Sequence, residues 1–338
     1  MIDKKLLALY SAAHFWVDLS CAFLLFRTLR GEPAFSLCLL LYNFCAFALQ
    51  MPLGLPAGQL RRSGPLAAAG CTLIALACLS LPPVITAVTA GVGNALFHLG
   101  GGIDVLHGSG ERAAALGIFV SPGAVGLYAG TLWGKAAVPP LFLAPLGLLT
   151  LAAAILCQCR RQAVRPAGSE TEKPPIPGGY RALLPLFLVV VLRSYMGMNQ
   201  SFPWRSSKHW ALLLTLALAL GKAAGGFVMD RLGPGRASRW SLGAAAALYL
   251  CSALPLPGIL AVFLFNMTMP VTLWAAARIV PAAKGFTFGL LTFALFLGFL
   301  PSWLGWPGLP AAPWVYAAVT LASLLLLQTV WRKETARC

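Results

Sequence analysis

The stretch Gly226-Phe227-Val228-Met229-Asp230-Arg231-Leu232-Gly233-Pro234-Gly235-Arg236 decides how the rest of the chain reads. It closes one long apolar run, Trp210 to Met229, and precedes another, Ala237 to Leu256. Two apolar runs joined by so few residues suit a very short turn between membrane helices. Gly226 lets a neighbouring helix come close. Asp230 suits a basic partner or a helix N-terminus, and the turn glycines supply positive φ. Arg231 and Arg236 anchor the turn at an anionic, cytoplasmic membrane face.

The same object stands 172 positions earlier in degraded form: Gly54-Leu55-Pro56-Ala57-Gly58-Gln59-Leu60-Arg61-Arg62-Ser63-Gly64. That offset holds without a gap over most of a half-chain. It pairs Asn94 with Asn266, Gly117 with Gly289, Gly126 with Gly298, Pro83 with Pro255, Arg112 with Lys284, and Gln50 with Lys222. Matched leucines mean little in so apolar a chain, but matched Asn and Gly are harder to obtain by chance. A parallel repeat of two hydrophobic halves is a transporter signature.

Composition reaches the membrane class independently. The chain is 59% hydrophobic and 10% charged, with a mean hydropathy of +0.80, outside the range of soluble domains. A net charge of +16 in a soluble protein would point to nucleic acid. Here the bases flank apolar runs, which fits the positive-inside rule instead. Nine cysteines show neither metal nor disulfide spacing. Met1-Ile2-Asp3-Lys4-Lys5 leads directly into an apolar run, without the pattern of a cleavable leader.

A spanning helix needs ~20 apolar residues. Spans read at 6–26, 35–59, 65–82, 84–104, 114–134 and 138–158, then at 182–201, 208–229, 237–254, 257–278, 285–303 and 311–331. Between the halves, Arg160 to Tyr180 is polar and rich in Pro and Gly, as a linker should be. With the N-terminus inside, 18 of the 25 Lys and Arg fall on inner segments and 5 on outer ones. Arg193 and Lys222 remain within the membrane, and both termini face the cytoplasm.

The loop at 226–236 resembles the loop between the second and third helices of each half in major facilitator superfamily transporters. Within that superfamily the chain is most similar to the fosmidomycin-resistance type of exporter. The His-x-x-x-Asp of the first helix is matched by His14 and Asp18. The small-residue run ending in Phe-His on the fourth is matched by Gly91, Gly93, Asn94, Phe97 and His98. The glycine-spaced fifth helix is matched by Ile118, Phe119, Gly123, Gly126 and Gly130. Three departures stand out: Leu99-Gly100 where those exporters carry Pro-Glu, Thr131 where drug–proton antiporters carry Pro, and Gly58 where the loop motif carries Asp. The resemblance implies a central cavity lined by the first, fourth and seventh helices, and export as the direction of transport.

An ionisable group in a membrane helix costs ~2.5–3.5 kcal/mol on insertion scales, so each needs a reason. His14 and Asp18 are i, i+4 on the first helix, and Asn94 and His98 are i, i+4 on the fourth. Arg193 and Gln200 form a stripe on the seventh with Gly197. Asn43, Lys222 and Asn266 complete the candidate substrate-binding set, and Asp18, His14 and His98 are the candidate proton carriers. Each polar group has a plainer reading as a hydrogen-bonded tie between helices. That reading fits Asp18 and Arg193 less well, because burying a charge as glue is expensive. Lys222 either lines the cavity or snorkels to the inner surface. Gly54, Arg61, Gly226, Asp230, Arg231 and Arg236 form the candidate conformational latch.

The expected protein is therefore an all-α integral membrane protein of the plasma (inner) membrane, with twelve transmembrane helices in two pseudo-symmetric six-helix halves. The halves are 1–159 and 181–338, joined by a cytoplasmic linker at 160–180. It reads as a monomeric secondary active transporter that moves a small solute by alternating access and is coupled to protons or another ion. Proton-coupled export of an anionic or drug-like molecule leads; uptake by the same fold is the alternative. Membrane lipids are expected as partners, and no cofactor, metal site or nucleic acid. A membrane enzyme acting on lipids lacks support, since no nucleophile elbow, Zn spacing or Asp-rich pair is present. A transporter-derived receptor with a sealed cavity leaves no trace in sequence that would exclude it.

Overall fold

The computed structural model describes residues 2–60, 62–79, 81–138, 140–161 and 179–335. Among these residues there is no strand, and the chain forms twelve helical rods. We label them α1 (Lys4–Leu29), α2 (Phe35–Gly58), α3 (Gly64–Ala77), α4 (Pro83–Ser109), α5 (Ala114–Ala136), α6 (Leu143–Arg160), α7 (Gly179–Asn199), α8 (Lys208–Leu232), α9 (Pro234–Leu250), α10 (Pro255–Ile279), α11 (Pro281–Trp303) and α12 (Pro313–Thr335). Ten of them are long and apolar enough to cross a membrane. The other two are α3, which is short, and α9, whose first turns carry Arg236 and Arg239.

Proline sets many of the boundaries. Pro65, Pro83, Pro234 and Pro255 occupy first-turn positions, where the missing N–H costs nothing. Pro82-Pro83 also explain why α3 stops at Ala77, short of the span expected to run to 82. α2 passes through a π-helical stretch at Phe44–Ala48, and two further rods are each broken by an interior proline that frees the carbonyl four residues back. In α5, Pro122 follows a bend at Ser121, and the Ser121 hydroxyl donates to the freed Ile118 carbonyl at 3.3 Å. In α10, Pro270 frees the Asn266 carbonyl, and the rod divides into Pro255–Asn266 and Thr268–Ile279. The turn between α8 and α9 is the single residue Gly233, at φ +78°, which a side chain would strain.

The residues pack as two compact units. The first holds the helices up to Gly110, those from Pro122 to Arg160, and the segment Ala283–Phe293. The second holds Glu111–Ser121, the helices from Gly179 to Ala282, and the chain from Ala294 onward. The units thus differ from the two sequence halves by one traded segment each, and those segments, 111–121 and 283–293, are 172 residues apart. Of the linker proposed at 160–180, residues 162–178 lie outside the described residues.

The repeat is visible in contacts within each unit. In the first, a Cβ on Gly54 would strike the Gly285 backbone, and one on Gly289 would strike the backbone of Gln50 and Met51. In the second, a Cβ on Gly226 would strike the backbone of Ala113 and Ala114, and one on Gly117 that of Lys222 and Ala223. The offset maps Gly54·Gly285 onto Gly226·Ala113, and Gly289·Gln50 onto Gly117·Lys222. Helix association in lipid relies on such close approaches, since burying apolar surface gains little there.

Gly289→Ala places a methyl group against backbone that has no freedom to move aside. It should destabilise the detergent-solubilised protein by about 1–3 kcal/mol, read as a lowered thermal midpoint. Gly243→Ala, in α9 with nothing within 4 Å of the added carbon, should leave the midpoint unchanged or raised. Equal midpoints would show that the glycine contact is not tight.

Candidate functional site

In the first unit, α1 and α4 bring four predicted polar residues together. The i, i+4 spacing puts His14 and Asp18 on one face of α1, and Asn94 and His98 on one face of α4. His14 Nε2 lies 3.3 Å from Asp18 Oδ2, and His98 Nε2 lies 3.9 Å from Asp18 Oδ1. The two imidazoles meet at 3.0 Å, Nε2 to Nε2. Asn94 Nδ2 donates to Asp18 Oδ1 at 3.3 Å and to the Tyr42 hydroxyl at 3.4 Å. The His14 and His98 side chains are buried at 7% and 12% exposure, whereas that of Asp18 keeps 21%. The carboxylate is therefore the most exposed group of the cluster.

Hydrogen bonding assigns the tautomer of His98. Its Nδ1 sits 2.9 Å from the Asn94 carbonyl, which only accepts, so Nδ1 carries a proton and donates. In the neutral ring Nε2 is then the lone-pair nitrogen, aimed at His14 and Asp18. Gly123 on α5 faces the same group: a Cβ there would strike His14 Nε2 and Asp18 Oδ2. The glycines that follow it at Gly126 and Gly130 pack against the Phe15 and Leu19 carbonyls, holding α5 tight along α1.

In the second unit the focus is Arg193 on α7, which is only 7% exposed. Its Nη2 donates to Thr268 Oγ1 at 2.7 Å and its Nη1 to Thr272 Oγ1 at 3.5 Å, while Nε is buried without a partner. Among the described residues no carboxylate forms an ion pair with it. Thr268 opens the second half of the interrupted α10, so the proline break brings a helix start beside a buried guanidinium.

The other candidates stand apart from these groups. Asn43 donates to the Leu39 carbonyl and Asn266 to the Val262 carbonyl, each one turn back on its own helix. Gln200 lies beyond the end of α7 in an extended conformation, because the chain leaves the helix ahead of Pro203. Lys222 is half-buried on α8. Of the latch residues, Asp230 accepts from the backbone N–H of Ala113 at 2.6 Å and of Ala114 at 3.2 Å, capping α5. Gly54 and Gly226 make the close contacts described above, Arg231 and Arg236 are exposed beside Gly233, and Arg61 lies outside the described residues. Sequence reasoning missed Tyr42, Thr268 and Thr272. Pro270, inside an apolar run, was the available signal for the last two.

No protein-family model matches the chain, and no curated protein matches it in sequence. Solved structures do. The chain resembles the Escherichia coli fucose:proton symporter FucP at 12% identity, over 96% of this chain and 98% of that one, with a TM-score of 0.63. It also resembles a bacterial homologue of the iron transporter ferroportin in an outward-facing state. There the identity is 15% over 99% of this chain and 100% of that one, with a TM-score of 0.64. The same homologue with soaked iron matches at 16% identity and a TM-score of 0.64, over 99% of both chains. FucP carries the major facilitator fold. At such identities the likeness concerns the fold: this chain has the twelve-helix major facilitator fold, that of a multi-pass membrane protein.

Thr268→Val keeps the shape of the side chain and removes the acceptor of the shorter Arg193 hydrogen bond. It should destabilise the protein by about 1–3 kcal/mol, the cost of a buried donor left unpaired. Thr329→Val, whose hydroxyl donates only to its own helix near an exposed end, is the control and should change little. A neutral Thr268→Val would mean that water or solute satisfies the guanidinium instead.

Proposed function

We propose that the protein is a secondary active transporter of the fosmidomycin-resistance type, exporting an anionic or drug-like solute by alternating access in exchange for protons. The observation that carries this reading is Arg193. A guanidinium buried in a membrane helix against two neutral hydroxyls, with its Nε unsatisfied, is expensive unless an anion completes it at some stage of a cycle. The fold supports transport as the setting, since its solved neighbours are transporters. FucP is a fucose:proton symporter, which supports proton coupling on this architecture.

In this reading Asp18, flanked by His14 and His98, carries the coupling proton, and Asn94 orients the carboxylate. Asp230 and its helix cap, together with the glycine contacts, hold one end state of the cycle. The chain acts as a monomer in the plasma (inner) membrane with both termini cytoplasmic. The distribution of Lys and Arg supports that orientation.

Reconstituted protein with an imposed pH gradient tests the assignment. Arg193→Ala should weaken binding of the transported anion about 10–100-fold, as loss of charge-assisted hydrogen bonds does. Asp18→Asn should abolish gradient-driven transport and spare binding. Normal pH-driven transport by Asp18→Asn would make the carboxylate structural, and unchanged binding by Arg193→Ala would remove the anion from the reading. For orientation, an impermeant thiol reagent added outside should label a cysteine placed at Pro255 and miss one at Gly64. The reverse pattern would invert the topology.

A further inference from the structure

We propose that His14, Asp18 and His98 form a binding site for a first-row divalent cation of the Zn²⁺ or Co²⁺ kind. The inference rests on the reading of this cluster as the transporter's ion site and names a further ion for it. Two imidazoles and one carboxylate are a donor set that suits Zn, Fe, Co and Ni, whereas Mg²⁺ and Ca²⁺ prefer oxygen alone.

The spacing of the donors fits a single ion. One donor atom from each residue lies within 4.8 Å of the other two. The imidazole Nε2 atoms are 3.0 Å apart, and each ring faces its own carboxylate oxygen: His14 Nε2 lies 3.3 Å from Asp18 Oδ2 and His98 Nε2 3.9 Å from Asp18 Oδ1. Ligands bound at ~2.0–2.2 Å in adjacent positions of a tetrahedral or octahedral ion are themselves ~3.0–3.5 Å apart. An ion chelated by both carboxylate oxygens, or a shift of about 1 Å that brings one oxygen towards both rings, completes the set.

The surroundings are those of a ligand shell. The Asn94 carbonyl fixes the proton of His98 on Nδ1 and turns Nε2 inward, as the outer partners of metal-ligating histidines do. The Asn94 amide orients the carboxylate from the same helix turn. Asn94 Oδ1 is buried with no hydrogen-bond partner and stands beside the group. Gly123 packs its backbone closely against His14 Nε2 and Asp18 Oδ2, so a methyl group there would push both ligands aside. His14 and Asp18 come from one helix turn and His98 from another rod, so no local sequence spacing announces the set. An ion held here needs the carboxylate ionised and both rings neutral, so it takes the place of the coupling proton.

The test uses the full chain, purified in detergent and stripped of metal. Titration with Co²⁺ should give visible d–d absorption bands saturating at one ion per chain, and Zn²⁺ should displace the Co²⁺ and bleach them. Asp18→Asn and His98→Gln should each weaken Zn²⁺ binding at least 10-fold by calorimetry, and Gly123→Ala should do so without removing a ligand. Circular dichroism and thermal midpoints identify any variant that fails to fold, leaving the others to decide. Cys157 and Cys251 are exposed, so Cys157→Ser and Cys251→Ser serve as controls and should bind as the parent does. Binding that survives in both Asp18→Asn and His98→Gln, or that vanishes with the cysteines, overturns the proposal. Absence of binding alongside intact pH-driven solute transport also overturns it and leaves the transporter reading standing. Saturable binding in a chain that moves no solute supports the site and removes the transporter reading.

Discussion

Helix backbones touch in this protein, and the rest of the structure depends on that contact. In hydrocarbon a leucine gains little by leaving lipid for a neighbouring helix, so association falls to close van der Waals approach. Gly54 against Gly285, Gly289 against Gln50, Gly226 against Ala113 and Gly117 against Lys222 are such approaches, each leaving no room for a methyl group. The row Gly123, Gly126 and Gly130 does the same for α5 along α1 and, at its first position, lets the backbone come up against the His14 imidazole and the Asp18 carboxylate. Packing and chemistry share these glycines.

Much of the fold was legible because membrane helices leave coarse marks. Length, hydropathy and a 172-residue repeat anchored on Gly and Asn suffice to count rods and pair them. The repeat reaches further than the rods: the segments that cross from one sequence half into the other compact unit are themselves repeat partners. Ends were harder to place. α3 stops where prolines follow it, and α4 runs to Ser109 through Gly100, Gly101 and Gly102, poor helix formers whose small size lets Ala67 and Phe288 pack against the rod.

The site was legible where it is local. His14 with Asp18, and Asn94 with His98, share faces by spacing alone, and their meeting is a matter of two helices touching. What escaped was whatever depends on rotation about a helix axis. Asn43, the expected site residue, bonds to its own helix, while the hydroxyl of its neighbour Tyr42 reaches Asn94. Thr268 and Thr272 escaped because threonine is common in apolar helices, and Arg193 gives no local hint of which rod it meets. Asn266 drew attention through its match to Asn94, but Pro270 reshapes the helix there, so matched residues hold different posts.

Because each glycine contact recurs at its repeat partner, both copies can be read as one self-complementary patch. A chain of half this length, pairing with a second copy of itself, would make both contacts at once from a single surface, as isologous dimers do. Within one chain the two copies need not stay identical. Asp230 still caps α5 through the Ala113 and Ala114 N–H groups, whereas its counterpart Gly58 only rests against Gly285. The two equivalent clasps are therefore lopsided, one carrying a charge and the other held by shape alone.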